Sequence, residues 1–326
     1  MKPLRDHIYV GDAVTTLSQW DDGSVDLCVT SPPYFGLRDF GHADQIGLEA
    51  SVDEYLRALL PVLSQIKRVL KSSGALYLNL GDTFREKSLL GIPWRVALAL
   101  MADGWYLRNS IIWVRPNPIP AGINDRYLCT YDHVFFLTKS KHYFFDVDPV
   151  RVPQVNPKGT SQLGNLGRPT PGAAIRQARE ERVGFNPLGK KPADVWTIAP
   201  DRRAWSFVND GEAGHTATYP EALCERPILA SCPEGGLVLD PFMGSGTTAV
   251  VAQRLGRHFV GVELSPAYAR MARARIDRDW IQPVPAKRSR QLFPTPSRPG
   301  TGKARIRTAN HPTSTLTLLP DMEKAA

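Results

Sequence analysis

Hydrophobic residues in this chain occur in short, β-branched runs, and longer segments with apolar residues at helical spacing lie between them. A short apolar run bounded by turn residues is typical of a buried strand, whereas a longer segment with a 3.6-residue period is typical of an amphipathic helix. The pattern predicts seven strands, at residues 7–12, 25–30, 75–82, 109–114, 132–139, 236–240 and 258–264.

Four helices are predicted between these strands, at residues 52–70, 91–104, 247–256 and 265–280. Ser51 and Ser265 are suited to be N-caps, and Pro93 and Pro266 lie where the first helical turn tolerates proline. Strands that alternate with helices of about ten residues or more indicate βαβ units. We therefore expect an α/β fold built on a largely parallel sheet.

Two segments interrupt this alternation. Residues 115–214 are rich in Pro, Gly and Arg, and within them only 132–139 has the pattern of a core strand. Residues 283–326 contain seven prolines and no hydrophobic period, which predicts a disordered tail. We expect one domain at 1–282, with an insert at about 115–214, followed by a basic tail at 283–326.

Positive charge is concentrated in these two irregular segments. The chain has a formal net charge of +8; residues 151–203 carry ten basic and four acidic side chains, and 283–326 carry eight basic and two acidic ones. A basic segment of this kind fits a polyanion, most often nucleic acid. A solvated loop and a solvated tail are the alternative explanation.

The composition also excludes several classes of protein. No apolar run approaches the length of about 18 residues that a membrane span needs, and residues 1–12 contain no apolar signal region. The cysteines form no CxxC pair, which argues against a zinc site and a disulfide scaffold. We expect a protein of the reducing cytoplasm, with no metal and with structural cysteines at Cys28, Cys129, Cys224 and Cys232.

The first chemical motif is Ser31-Pro32-Pro33-Tyr34, directly after the strand 25–30. Two prolines fix two φ angles and remove two backbone donors, so neither a strand nor a helix can continue through them. An aromatic ring on such a rigid corner suits the binding of a flat molecule. An ordinary turn is the alternative explanation for the motif alone.

The second motif is "LVLDPFMGSGTT" at 237–248, where a strand ends in Asp240 and a glycine turn leads into a helix. Glycines let the backbone approach a ligand, and the crevice beyond the strand ends of such a sheet is its usual binding site. Glu263 ends the next strand and is placed to bind a ribose diol. A structural turn is again the alternative.

Together, "TSPPY" and "DPFMGSGTT" resemble the motifs of the DNA amino-methyltransferases, which use S-adenosyl-methionine. The order, with the catalytic motif first, is similar to the family's circularly permuted beta group. "YVGDA", "LYLNLGDT" and "HTATYPEALCERPI" resemble further family segments, so the match covers roughly residues 7–282. The resemblance implies a Rossmann-like, seven-stranded sheet, parallel except for one strand, with Asp240 and Ser31 at the ends of adjacent strands.

The resemblance also assigns the site. The implied catalytic residues are Ser31, Pro32, Pro33 and Tyr34. The implied cofactor-binding residues are Asp12, Asp240, Pro241, Phe242, Gly244, Gly246, Thr247 and Glu263.

The implied reaction is direct displacement of a sulfonium methyl group by an exocyclic amine of a base. Such catalysis rests on alignment and on acceptors that localise the amine lone pair, for which we expect the Ser31 side chain and the Pro32 carbonyl. Tyr34 is expected to stack on the base, which must flip out of the duplex. Ser31 favours cytosine N4 as the target, with adenine N6 as the alternative.

Other reactions are less consistent with the sequence. Methylation of cytosine at carbon 5 needs a thiolate that in that family usually follows a proline, and no cysteine here does so. RNA and protein-glutamine methyltransferases carry a similar proline corner that begins with Asn, whereas this corner begins with Ser31. An inactive DNA-binding module is also less consistent, because it would not need the intact catalytic and cofactor motifs.

Double-stranded DNA is the expected partner, a cognate restriction endonuclease is a candidate partner, and a monomer or dimer is expected. The insert lies where the family carries target recognition, and its polar side chains suited to adenine edges are Gln154, Asn156, Gln162 and Asn165.

Overall fold

The computed structural model describes residues 1–117, 122–153, 186, 188–200 and 218–280, all within the unit Met1–Phe293. The tail at 283–326 lies outside the described residues, as do Gln154, Asn156, Gln162 and Asn165.

Ten strands are described. They are β1 (His7–Val10), β2 (Val25–Thr30), β3 (Leu70–Leu80), β4 (Phe84–Arg85), β5 (Ser88–Leu89), β6 (Tyr106–Val114), β7 (Tyr131–Thr138), β8 (Val195–Thr197), β9 (Leu237–Asp240) and β10 (His258–Glu263).

Six α-helices accompany these strands, with one 3-10 turn at Asp148–Val150. The helices are α1 (Ala13–Ser18), α2 (Val52–Val69), α3 (Ile92–Ala102), α4 (Glu221–Ser231), α5 (Thr247–Arg254) and α6 (Pro266–Trp280).

Eight of the strands form one sheet in the order β1-β10-β9-β2-β3-β7-β6-β8. Strand β7 runs antiparallel to both of its neighbours, and every other pairing in this sheet is parallel. The carboxyl ends of β9, β2 and β3 therefore lie at one edge of the sheet, together with the start of β7. In such sheets this edge carries the ligand site.

The predicted fold class is confirmed, and each of the seven predicted strands is present. The count of seven was wrong for the described residues, because β8 adds an eighth strand beside β6. The hydrophobic pattern also did not predict the helix α4. Four other short elements were missed as well: the helix α1, the 3-10 turn at Asp148–Val150 and the two strands of the β4–β5 hairpin. Six-residue helices and two- or three-residue strands are too short to show a hydrophobic period.

Helix termini follow the local rules that the sequence indicated. The Ser51 side chain accepts a hydrogen bond from the Glu54 amide at the start of α2, and Ser265 Oγ accepts one from the Tyr268 amide in α6. Pro93 lies in the first turn of α3. These caps satisfy amides that a helix leaves without intrahelical partners.

Hydrophobic layers cover both faces of the sheet. One layer joins α1, α2 and α3 to the sheet, and the other joins α4, α5 and α6 to its opposite face. Both faces of the sheet are therefore covered, as is usual for a largely parallel sheet.

Three of the four cysteines predicted to be structural are buried, whereas Cys129 is exposed. Burial, with a smaller contribution from the charge of Asp240, raises the pKa of the Cys28 thiol well above its usual range. This thiol therefore stays protonated, as expected for a structural cysteine.

Candidate functional site: a cleft that joins a proline corner to a glycine turn

The proline corner leaves the sheet at the end of β2. Thr30, the last residue of β2, donates a hydrogen bond from Oγ1 to Oδ1 of Asp240 at 2.7 Å, across the β2–β9 pair. The buried Tyr55 hydroxyl donates to the Pro33 carbonyl at 2.9 Å. The corner is thus held by a neighbouring strand on one side and by α2 on the other.

Asn79, near the end of β3, connects the two polar side chains of the corner. It is only 4% exposed, and its Nδ2 atom donates to Ser31 Oγ at 3.2 Å and to the Tyr34 hydroxyl at 2.8 Å. One buried amide therefore fixes the positions of both oxygens.

An ion pair continues this network. Arg115 Nη1 lies 2.9 Å from Asp132 Oδ2, and the Asp132 carboxylate also forms a hydrogen bond with the Tyr34 hydroxyl. Burial raises the pKa of Asp132, although the Arg115 charge and the Tyr34 hydrogen bond oppose that increase. Burial and the nearby Asp132 charge raise the pKa of Tyr34 well above its ordinary value, so Tyr34 is a neutral phenol.

Gly81 gives the Tyr34 ring its space. A Cβ atom at position 81 would overlap Cε2 of Tyr34, lie 2.8 Å from its Cδ2 atom and lie 3.1 Å from Asp132 Oδ1. Only glycine fits at this position without moving the ring.

The glycine turn lies beside the proline corner, between β9 and α5. Gly244 and Gly246 have φ angles of +51° and +78°, in the left-handed region that favours glycine. Arg275 of α6 holds the turn, because its Nη1 atom donates to Ser245 Oγ at 3.1 Å and to Thr247 Oγ1 at 2.9 Å.

Glu263 is bound to this turn through backbone amides. Its Oε2 atom accepts from the Gly244 amide at 2.7 Å, and its Oε1 atom accepts from the Ser265 amide at 2.9 Å. Burial raises the pKa of Glu263, while these two amides oppose the increase. The carboxylate is fixed in place and retains lone pairs for further donors.

Asp240 is buried, and four donors surround its carboxylate. Besides Thr30, its oxygens accept from Thr248 Oγ1 at 2.7 Å, from the Tyr219 hydroxyl at 2.9 Å and from the Phe242 amide at 3.1 Å. Burial raises its pKa and the hydrogen bonds oppose the increase. Asp240 connects β2, β9, α5 and the segment before α4.

Asp12 lies directly before α1 and lines the cleft. Its Oδ1 atom accepts from the Thr15 amide at 2.8 Å and so caps α1. The Phe40 and Tyr268 rings, which also line the cleft, lie edge to face with their centroids 6.4 Å apart.

The structure brings most of the predicted site residues to one cleft of about 300 Å³. The predicted residues that line it are Asp12, Ser31, Pro32, Pro33, Tyr34, Pro241, Phe242, Gly244, Thr247 and Glu263. Asp240 and Gly246 do not line the cleft but support its wall. The Asp240 carboxylate already accepts four hydrogen bonds. A Cβ atom at Gly246 would lie 3.1 Å from the Cβ atom of Ala272.

A family model described as DNA methylase, of the N6/N4 methyltransferase type, matches residues 25–274. This chain belongs to that family of DNA amino-methyltransferases. The resemblance inferred from the two motifs and their order is therefore confirmed.

Curated relatives are similar over most of their length. The type II methyltransferase M.SmaI of Serratia marcescens is 35% identical over 298 residues, which cover 82% of this chain and 90% of that protein. M.Cfr9I of Citrobacter freundii is 36% identical over 299 residues, which cover 82% of this chain and 87% of that protein.

Two solved structures share the fold of this methyltransferase. The cytosine-N4-specific PvuII DNA methyltransferase superposes with a TM-score of 0.64 and 19% identity, covering 90% of this chain and 96% of its own. A DNA modification methylase of Thermus thermophilus, solved with S-adenosyl-L-methionine, has a TM-score of 0.54 and 26% identity, covering 84% and 93%.

Sequence reasoning missed four polar residues of the site: Asn79, Arg115, Asp132 and Tyr219. Asn79 and Asp132 lie within correctly predicted strands, where a polar residue in an apolar run was the available signal. Arg115 lies in a connection that carries no such pattern, and Tyr219 lies in the segment 215–228, which resembles a family segment but had no role assigned to this side chain. Within the described residues, no cluster of side chains suited to a metal ion was found, and no helix is long and apolar enough to cross a membrane.

Proposed function

We propose that this DNA amino-methyltransferase modifies the exocyclic amine of a flipped base within a specific DNA site, with cytosine N4 as the favoured target. One observation carries the proposal. The Ser31–Tyr34 corner and the glycine turn with Glu263 line the same cleft, although more than 200 residues separate them in sequence.

S-adenosyl-L-methionine is the methyl donor of this family, and it supplies an electrophilic methyl group on a sulfonium. The cleft fits such a cofactor, because about 300 Å³ is within the range of small-molecule sites. We assign Glu263 to the ribose hydroxyls, Asp12 to the adenine and the Gly244 turn to close backbone approach. Phe242, Pro241 and Thr247 complete the walls.

The cofactor assignment has a direct test that does not require DNA. Gly244→Val places a branched side chain in the cleft at a left-handed φ, and Glu263→Ala removes the proposed ribose acceptor. We expect both variants to bind S-adenosyl-L-methionine more weakly in calorimetry. Wild-type affinity in both variants would contradict the assignment.

For Asp240, the described contacts favour a positioning role rather than direct contact with the cofactor. Its two oxygens already accept four hydrogen bonds, which is about the capacity of a carboxylate. It holds the ends of β2 and β9 together, and so fixes the distance between the methyl acceptor and the methyl donor.

Ser31 Oγ and the Pro32 carbonyl are the proposed acceptors for the target amine. Hydrogen bonds that these oxygens accept from the amine N–H groups localise the nitrogen lone pair, which must attack the methyl carbon in line with the sulfonium leaving group. Asn79 holds Ser31 Oγ from behind, and the bond from Tyr55 to the Pro33 carbonyl keeps the corner rigid. The neutral Tyr34 ring is the proposed surface on which the flipped base stacks.

Cytosine is favoured because Ser31 supplies a neutral acceptor, whereas Asp at this position is mostly associated with adenine in the family. Adenine N6 is the alternative, since both reactions methylate an amine conjugated to a ring. Digestion of DNA from expressing cells, followed by mass spectrometry of the nucleosides, distinguishes the two. Methyl groups found only on deoxyadenosine would overturn the cytosine assignment but not the family.

Ser31→Ala should abolish or strongly reduce methylation in the same assay while cofactor binding is retained. Ser18→Ala, on the exposed surface of α1, is the matched control. We also propose, from position alone, that the insert at about 115–214 reads the DNA sequence. The names of the relatives as type II enzymes favour a cognate restriction endonuclease as a functional partner.

A further inference from the structure

Tyr127 projects an almost fully exposed ring from the loop between β6 and β7. It is 97% exposed, more than any other large hydrophobic side chain of the described residues. An exposed aromatic ring offers a face on which a nucleic-acid base can stack.

The loop that carries this ring starts and ends at the cleft. The Arg115 amide donates to the Thr130 carbonyl at 2.8 Å, and Arg115 Nη2 approaches the Cys129 carbonyl at 3.5 Å. Arg115 and Asp132 both line the cleft beside Tyr34. Tyr127 is three residues from Thr130, so the chain places it within about 11 Å of that anchor. The loop itself lies at the edge of the sheet that carries the cleft, because β6 runs parallel to β3 and β7 runs in the opposite direction.

The β4–β5 hairpin braces the loop next to the ring. Lys87 Nζ lies 3.0 Å from Asp125 Oδ2, and the Arg126 guanidinium lies 3.6 Å from the centroid of the Phe84 ring. The two residues at the turn of the hairpin, Glu86 and Lys87, have positive φ angles of 51° and 66°. The backbone under Tyr127 is thus supported on one side while the ring stays exposed.

Arg126 is next to the ring in sequence, and the hairpin carries Arg85 and Lys87, of which Lys87 is paired with Asp125. Cations beside an exposed aromatic ring match the chemistry of nucleic acid, because phosphates bind the cations and bases stack on the ring.

We propose that Tyr127 inserts into duplex DNA beside the target and stabilises the flipped state by stacking on the bases that the target leaves. This inference rests on the proposed function. Flipping costs unpairing and unstacking, and proteins that open a base step often insert a side chain to offset that loss. Among the described large hydrophobic side chains Tyr127 is the most exposed, and its loop is supported by the hairpin.

The test compares Tyr127→Ala and Tyr127→Phe with the wild type in single-turnover methyl transfer. The substrate is a duplex oligonucleotide with the site that the wild type methylates in cellular DNA, with the target either paired or opposite an abasic position. Tyr106→Ala, at the start of β6 and therefore at the opposite edge of the sheet, is the control for loss of a partly exposed tyrosine.

We expect Tyr127→Ala to slow transfer to the paired target by about tenfold, the size expected for loss of one stacking contact. An abasic position opposite the target should restore most of the rate, and Tyr127→Phe should resemble the wild type. Wild-type rates for Tyr127→Ala on the paired target, or an equal defect on both duplexes, would overturn the inference. A wild-type protein that transfers no methyl group to DNA would instead overturn the proposed function.

Discussion

The side-chain amide of Asn79 bonds both oxygens of the proline corner, at 3.2 Å to Ser31 Oγ and at 2.8 Å to the Tyr34 hydroxyl. These two oxygens belong to residues on the same short turn, whereas Asn79 belongs to the neighbouring strand β3. The positions of the proposed methyl-acceptor contacts are therefore set by the pairing of β2 with β3.

Replacing Asn79 with leucine keeps the volume of the side chain but removes both donors. We expect kcat to fall by about 10-fold to 100-fold, since two hydrogen bonds of about 1 kcal/mol each position the reacting groups. Cofactor affinity should not change, because Asn79 does not contact the glycine turn. Asn109→Leu, at an exposed position of β6, is the control. An unchanged kcat in Asn79→Leu would show that the amide does not position Ser31.

Gly81→Ala tests the placement of the Tyr34 ring. The added methyl group overlaps Cε2 of Tyr34, so the ring must move out of its place. We expect a lower kcat and weaker DNA binding, measured by steady-state kinetics, with unchanged affinity for S-adenosyl-L-methionine in calorimetry. Ser18→Ala, on the exposed surface of α1 and outside the insert, should behave as the wild type. Equal effects of the two substitutions would contradict the role of the ring.

The ion pair between Arg115 and Asp132 should stabilise the fold. The effect of replacing one partner on the free energy of unfolding should depend on whether the other partner is present. Asp132→Asn keeps an acceptor for Tyr34 but leaves Arg115 without its counter-charge, at a cost of about 2 kcal/mol because Arg115 is only partly buried. Urea unfolding of Asp132→Asn, Arg115→Met and the double variant measures the coupling. We expect the double variant to be less destabilised than the sum of the single variants. Additive effects would mean that the two side chains are energetically independent.

Cofactor binding should depend on pH through Glu263. Burial raises the pKa of this carboxyl above the ordinary value for glutamate, so its protonation begins at a higher pH than usual. A protonated carboxyl is a poorer acceptor for ribose hydroxyls, and affinity for S-adenosyl-L-methionine should therefore fall as the pH is lowered through this pKa. Calorimetry across the acidic range should show this dependence in the wild type, and Glu263→Gln should flatten it. The same slope in both proteins would assign the dependence to a group other than Glu263.

The sequence alone predicted the elements that carry a long hydrophobic pattern and the site residues that lie within the two motifs. The strands β2, β3, β7 and β10 are each six residues long or longer and contain an apolar run, and Ser31 and Gly244 follow strands that end in their motifs. The remaining contacts depend on register. Asn79 meets Ser31 because Thr30 pairs with Leu78, and Asp132 reaches the cleft because β7 is reversed. No local pattern encodes which residues two distant strands bring together.

The reversal of β7 has a consequence for how this protein could be altered. Strands β6 and β7 are joined by a loop whose two ends are held together by the bond from the Arg115 amide to the Thr130 carbonyl. A loop closed at its base can change in length and composition without disturbing the strands that it joins. The segment between Arg115 and Thr130 is thus an exchangeable module. Grafting the corresponding loop from a relative would replace the surface that carries Tyr127 while leaving the proline corner and the glycine turn intact.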